Sequence, residues 1–250
     1  MYSLGLDSPE ATEHLNRQLL TVDVINKLAE HLQESPAPTS DMATLNALAP
    51  EAPVPILDSV RAGLEVAKDS LNHITAIFRE NDKFTLVTLQ SMMRMALLGA
   101  SRAAFILGPE DPSDRERNAH IVLAQEAQSL RRALDACSDF KHLRGMIPSE
   151  EFRNEITERT RTLQPTPRHG EATTIRLMAE ETAQQVARDD PNAPSPEILS
   201  EALAWAWHSS SGTAHAYAWP RIAGGDFVSD FGMIVPVAHI AFDAAVRRWR

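Results

Sequence analysis

Residues 57–80 read LDSVRAGLEVAKDSLNHITAIFRE, and in them Leu57, Val60, Leu64, Ala67, Leu71, Ile74 and Phe78 recur at alternating steps of three and four. Each residue of an α-helix turns the chain by about 100°, so those steps place all seven on one face. A strand would need a period of two. The stretch predicts an amphipathic helix laid against other helices, and it sets the fold class as all-α.

The flanking segments extend the same reading. Residues 34–55 hold Pro36, Pro38, Pro50, Pro53 and Pro55, which predicts a linker with one short turn around Met42 to Leu48. Before it, Ser8 is a fitting N-cap for a helix over Pro9–Gln33, whose apolar face runs through Leu15, Leu19, Val22, Ile25, Leu28 and Leu32. After it, Phe84 to Leu107 is apolar nearly all round and stops at Gly108 and Pro109. It is long enough to span a bilayer, but Gln90, Arg94 and Arg102 interrupt it, and a central arginine costs roughly 2.5 to 3.5 kcal/mol on insertion. A helix of that kind belongs at the centre of a bundle.

Further along, a helix is expected from a Ser113 cap through Leu123, Leu130 and Cys137, closed by Gly145 and Pro148. A charged surface helix follows over residues 149–163, then one through Ile175, Met178 and Val186. Ser195 caps another, and the last runs from about Pro236 to Trp249. No segment alternates apolar and polar residues between turn signals, so no sheet is expected. The prediction is a bundle of about seven to eight helices, with residues 1–55 as an acidic helix plus linker and residues 56–250 as the bundle core.

Composition limits the partners. The net charge is −10. Residues 1–55 hold eight acids against two bases, or −6, which leaves −4 for the rest. An acidic chain disfavours non-specific nucleic-acid binding, although a local basic groove remains open. Cys137 is the single cysteine and cannot close an internal disulfide. The amino terminus lacks the basic start and apolar run of a secretory signal. A cytoplasmic protein without membrane attachment is expected.

The stretch LAWAWHSSSGTAHAYAWP, residues 203–220, concentrates three of the four tryptophans and two histidines. On one continuous helix, Trp205, His208, Gly212, His215 and Trp219 would form a single stripe. They can serve as core anchors, or as a polar site with His215 or His208 in acid–base work. A metal shared by the two histidines is not expected. Seven residues separate their backbones by about 10 Å, and Asp226, Asp230 or His239 would have to join one of them. No cofactor is expected. Arg94 and Arg102 inside an apolar helix must pair, with Glu126 or Asp243 for example, reach the bundle edge, or face the stripe as a basic pocket. Arg115 and His120, in RERNAH, match an arginine–histidine spacing of helical ribonucleases, at a frequency that chance supplies.

The arginine-bearing helix ending in ILGPEDPSDRERN, followed much later by WHSSSGTAHAYAW, resembles a group of uncharacterised helical proteins of actinobacteria. These are distantly similar to HEPN-like and abortive-infection-like bundles. The resemblance covers Arg94, Ser211, Gly212, His215 and Trp219, and Leu98 stands where the pattern has a glutamate. It implies a nucleic-acid-acting protein, a ribonuclease or toxin, with Arg94 and His215 as catalytic candidates, to which the stripe adds His208. The residues themselves favour a different function, a scaffold or regulatory protein that binds a protein partner or itself through an apolar face such as that of the last helix. A further alternative is a small-molecule binder using Trp205, Gly212, Trp219 and Arg102.

Overall fold

A computed structural model describes residues 2–50, 52–80, 82–138, 140, 142, 145, 147–162, 171–189 and 194–250. Among them are nine α-helices: α1 Pro9–Glu30, α2 Asp41–Asn46, α3 Ile56–Glu80, α4 Leu86–Leu107, α5 Pro112–Ser138, α6 Glu150–Thr162, α7 Glu171–Asp189, α8 Pro196–Ala214 and α9 Phe227–Trp249. The described residues contain no strand beyond one isolated parallel bridge between Ser3 and Asp226. The fold is an all-α bundle.

Two central helices organise it. α4 and α9 pack on each other, α1 and α3 cover one side of that pair, and α7 and α8 cover the other. α5 lies against α4 and carries α6. The placement follows from composition. α4 buries Leu89, Met93, Leu97, Phe105 and Ile106 together with a run of alanines, and α9 buries Phe227, Phe231, Ile234, Val235 and Phe242. Only a helix apolar on more than one face is stable with neighbours on both sides. α3 shows the one-sided pattern expected of it, and it crosses α4 at Gly63 and Gly99. A Cβ on either glycine would strike the carbonyl oxygen of the other.

α9 begins at Phe227, well before the expected start near Pro236. Asp226 is its N-cap, accepting from the Ser229 N–H at 2.8 Å. Pro236 sits inside the helix, where it removes a donor to the carbonyl of Gly232 at a cost of about 3 kcal/mol. Burial of Phe227, Phe231, Ile234 and Val235 on the N-terminal side offsets that cost, at about 1.5 to 3 kcal/mol for each large side chain. α9 is also the one helix among the described residues long and apolar enough to cross a membrane, and 61% of its most apolar window is buried inside the molecule. α5 ends at Ser138, ahead of the stop expected at Gly145 and Pro148. Asp111 caps its start in place of Ser113, whose N–H and hydroxyl both donate to the Asp111 carboxylate at 2.8 Å.

The linker is clamped to the chain's far end. The Trp249 indole donates to the Glu34 carbonyl at 3.0 Å, and the Ala37 N–H donates to the Trp249 carbonyl at 2.9 Å. Asp41 receives Arg115 at 2.9 Å and Arg248 at 3.0 Å. The core is continuous from Leu15, Leu19 and Val22 of α1 through α4 to α9.

Candidate functional site

The aromatic stretch does not lie on one helix. α8 ends at Ala214, with His215 as its C-cap, whose N–H donates to the Ser211 carbonyl at 3.0 Å. Ala216 then takes φ = 59°, the left-handed value that ends many helices. The Tyr217 N–H closes onto the Gly212 carbonyl at 2.9 Å, and the chain reverses into a short 3-10 turn, Trp219–Arg221. Two local causes are visible. The Ser210 hydroxyl donates back to the Ala206 carbonyl at 2.6 Å and Ser209 does the same at 3.2 Å, a competition that weakens helices. Pro220 also has no N–H to carry the helical ladder on to the Ala216 carbonyl.

The reversal still joins the ends of the predicted stripe. Trp219 folds back onto Gly212, where a Cβ would come within 3 Å of its ring and of Pro220. Its ring centroid lies 6.1 Å from that of Trp205. Trp205 is 41% exposed, and His208 and His215 are exposed as well. The buried tryptophan of the stretch is Trp207, at 4%, and the Arg94 guanidinium lies over its ring at 4.6 Å. Trp207 and His215 are eight residues apart on α8, about 12 Å along its axis, so Arg94 and His215 sit at different levels. Arg102 faces α5 and pairs with Glu126 at 2.6 Å. Of the named residues the structure therefore joins Trp205, Gly212 and Trp219, whereas Arg94 stacks on Trp207 and Arg102 pairs with Glu126. His208 borders a shallow cavity of about 260 Å³ with Thr173, Arg176 and Trp207. Arg115, from the RERNAH motif, is buried and donates to the Pro109 and Glu110 carbonyls at 2.8 Å, which is a loop clamp.

A larger cleft of about 660 Å³ opens where α8 ends. Leu86, Val87 and Gln90 of α4 form one wall, Thr213, Ala216, Tyr217 and Ala218 form the opposite wall, and Tyr2 closes it from the N-terminal arm. The arm is held by its backbone. The N–H groups of Phe227 and Val228, which open α9, donate to the carbonyls of Ser3 and Leu4 at 3.1 and 3.3 Å, and the Ser3 N–H donates to Gly225 at 3.2 Å. Those contacts satisfy donors that a helix start leaves open.

Two polar groups behind the cleft are buried. Tyr2 donates its hydroxyl to Asp230 Oδ2 at 2.8 Å. Asp230 is 5% exposed, and burial pushes its carboxyl up to about 6, with Asp226 adding to the rise and the Tyr2 hydrogen bond opposing it. Burial first, and then the Asp230 carboxylate, drive the Tyr2 phenol well above its ordinary value. Gln90 is 4% exposed. Its Oε1 accepts from the Thr213 hydroxyl at 2.8 Å, and its Nε2 is buried. The amide nitrogen faces the Tyr2 phenol oxygen, a contact too loose for regular hydrogen-bond geometry that still favours the ionised phenol.

Sequence reasoning passes over Tyr2 and Thr213, takes Gln90 only as a break in an apolar helix, and weighs Asp226 and Asp230 only as metal ligands. Asp226 is a helix cap and Asp230 bonds to Tyr2. Among the described residues no group of three or more His, Cys, Asp or Glu side chains is placed to hold a metal ion. Compared with protein-family models, curated proteins and solved structures, the chain matches none.

Proposed function

We propose that the chain is a small-molecule binding protein whose ligand occupies the cleft between the N-terminal end of α4 and the C-terminal end of α8. The observation that carries this reading is the cleft itself, about 660 Å³ and mostly apolar, with the Gln90 side chain and the Thr213 hydroxyl as polar groups in its walls. A concave, mainly apolar pocket with a few fixed polar groups is the usual form of a ligand site. The volume lies within the usual range of about 300 to 1,000 Å³ for ligand sites.

Protein docking is the second reading. It draws on exposed Trp205, Tyr217 and Ile222 on and just after α8, since exposed aromatic side chains serve as contact anchors. The apolar face of α9 lends it no support, because that helix is central in the core. The nucleic-acid-acting reading would need Arg94 and His215 to work together, and Arg94 is committed to Trp207 about 12 Å away along α8.

The binding reading is tested by titration with 1,6-diphenylhexatriene, an uncharged hydrocarbon dye that fluoresces once removed from water. Saturable one-to-one binding is expected, weakened at least about tenfold, or 1.4 kcal/mol, by Val87→Trp. Val87 is an exposed wall residue, so filling its position leaves the core intact. Absence of saturable binding, or equal binding by the variant, overturns the reading.

A further inference from the structure

We infer that the turn after α8, with Ile222 at its tip, docks on the surface of a phospholipid bilayer, whatever the cleft holds. Ile222 is 82% exposed, the most exposed large apolar side chain among the described residues. Its N–H donates to the Trp219 carbonyl at 3.0 Å, and the Trp219 ring packs on Trp205 with centroids 6.1 Å apart. Gly225 then passes beside the Trp205 indole, where a Cβ would stand 3.9 Å from its Nε1. An isolated exposed isoleucine would need no explanation. Here it shares one projection with two half-exposed tryptophans.

The chemistry of the tip selects lipid over the protein partner considered above. Backbone donors that enter an apolar medium must be satisfied from within. At the tip they are, because the N–H groups of Ile222 and Ala223 both donate to the Trp219 carbonyl, at 3.0 and 3.1 Å. Residues 222–225 are Ile-Ala-Gly-Gly, without a polar atom in any side chain. A protein interface rings its apolar centre with polar groups and carries about one hydrogen bond per 100 to 200 Å², and this tip has no side-chain donor or acceptor to offer. Indole rings suit the headgroup boundary, where an apolar body and one N–H donor meet both media. Charge agrees. The chain holds 34 aspartates and glutamates in 250 residues, yet residues 202–225 hold none and include Arg221. The acids on either side are Glu201, one turn of α8 before Trp205, and Asp226, which caps α9. Anionic headgroups repel an acidic surface and admit a stretch with no acid and one base. A peripheral contact of this kind needs neither a secretory leader nor a spanning helix.

The test is flotation of the full chain with vesicles of phosphatidylcholine and phosphatidylserine. The protein should rise with the vesicles, and its tryptophan emission should shift to the blue. Trp207 and Trp249 are each only 4% exposed, so that shift reports Trp205 and Trp219. Ile222→Asp should weaken partitioning at least about tenfold, and Ile222→Leu should keep it. A side chain so exposed can be replaced without disturbing the core, which an unchanged thermal midpoint checks. Failure of the unaltered protein to float, or equal flotation of Ile222→Asp, overturns the inference. Self-association by light scattering that Ile222→Asp removes, in a chain that does not float, also overturns it, since the face would then dock protein. Diphenylhexatriene titration of Ile222→Asp without lipid should match that of the unaltered protein, which separates this surface from the cleft.

Discussion

Replacing Asp230 with asparagine should change how stability depends on pH, by an amount that follows from the structure. The folded protein holds the Asp230 carboxyl at about 6, against an ordinary 3.8. The folded state thus binds this proton more tightly than the unfolded chain does. The stabilisation is fully present below pH 3.8, is lost as pH rises towards 6, and stays lost above that. A carboxyl held about two pH units above its ordinary value, at roughly 1.4 kcal/mol for each, contributes about 3 kcal/mol. The asparagine side chain would be neutral throughout, and its oxygen can still accept from Tyr2. It also carries a nitrogen that needs a partner, which adds an offset independent of pH. The quantity to measure is therefore the difference in urea unfolding free energy between Asp230→Asn and the unaltered protein, at pH 4, 5, 6 and 7.5. It should move in favour of the variant by about 2.4 kcal/mol across that range, with most of the change between pH 4 and 6. A difference that stays flat, or moves the other way, would falsify the assignment of Asp230 as a carboxyl buried against its charge.

Three further outcomes test the packing and the site. Tyr2→Phe removes the hydrogen bond that opposes the rise of the Asp230 pKa. Its carboxyl should then titrate above pH 6, seen as an upward move of the same stability midpoint; a downward move would refute the role of the phenol. Gly212→Ala sets a methyl against Trp219 and Pro220 and should cost about 1 to 3 kcal/mol, with a change in tryptophan emission as the Trp205–Trp219 contact opens. In double-mutant cycles by urea unfolding, Arg94→Ala with His215→Ala should add within about 0.5 kcal/mol. Arg94→Ala with Trp207→Leu should couple by about 0.5 to 2 kcal/mol. Strong coupling between Arg94 and His215 would show the two to be one site.

The helices are legible in the sequence because their causes are local. The α3 stripe needs only its own seven residues, the serine caps at Ser8 and Ser195 precede their helices, and the all-round apolarity of α4 dictates a central place. The start of α9 is not legible, since Pro236 reads locally as a boundary and only burial by α1 and α4 holds the helix through it. The stripe is half legible. Trp205, Gly212 and Trp219 do meet, but through a reversal at Ala216 that no periodicity announces, and the 100° template passes over buried Trp207. The cleft is the least legible, because Tyr2 and Asp230 are 228 positions apart. Gln90 does leave a trace. It interrupts an apolar helix, and a buried amide in such a place needs a partner from elsewhere.

The cleft and the N-terminal arm depend on the same side chain. Tyr2 closes the cleft on one side and bonds Asp230 on the other, while Ser3 and Leu4 next to it satisfy the open donors of α9. The opposite wall rests on Ala216, an alanine held in left-handed backbone at a cost of roughly 1 to 2 kcal/mol. Trp219 seated on Gly212 holds that turn in place. Each wall thus ends in a feature that is unfavourable alone, a carboxyl buried against its charge on one side and a strained turn on the other. Strain held by surrounding packing concentrates where a structure serves binding. A ligand in the cleft would press on the ring that Asp230 holds, so that occupancy of the cleft and docking of the arm would share one free-energy balance.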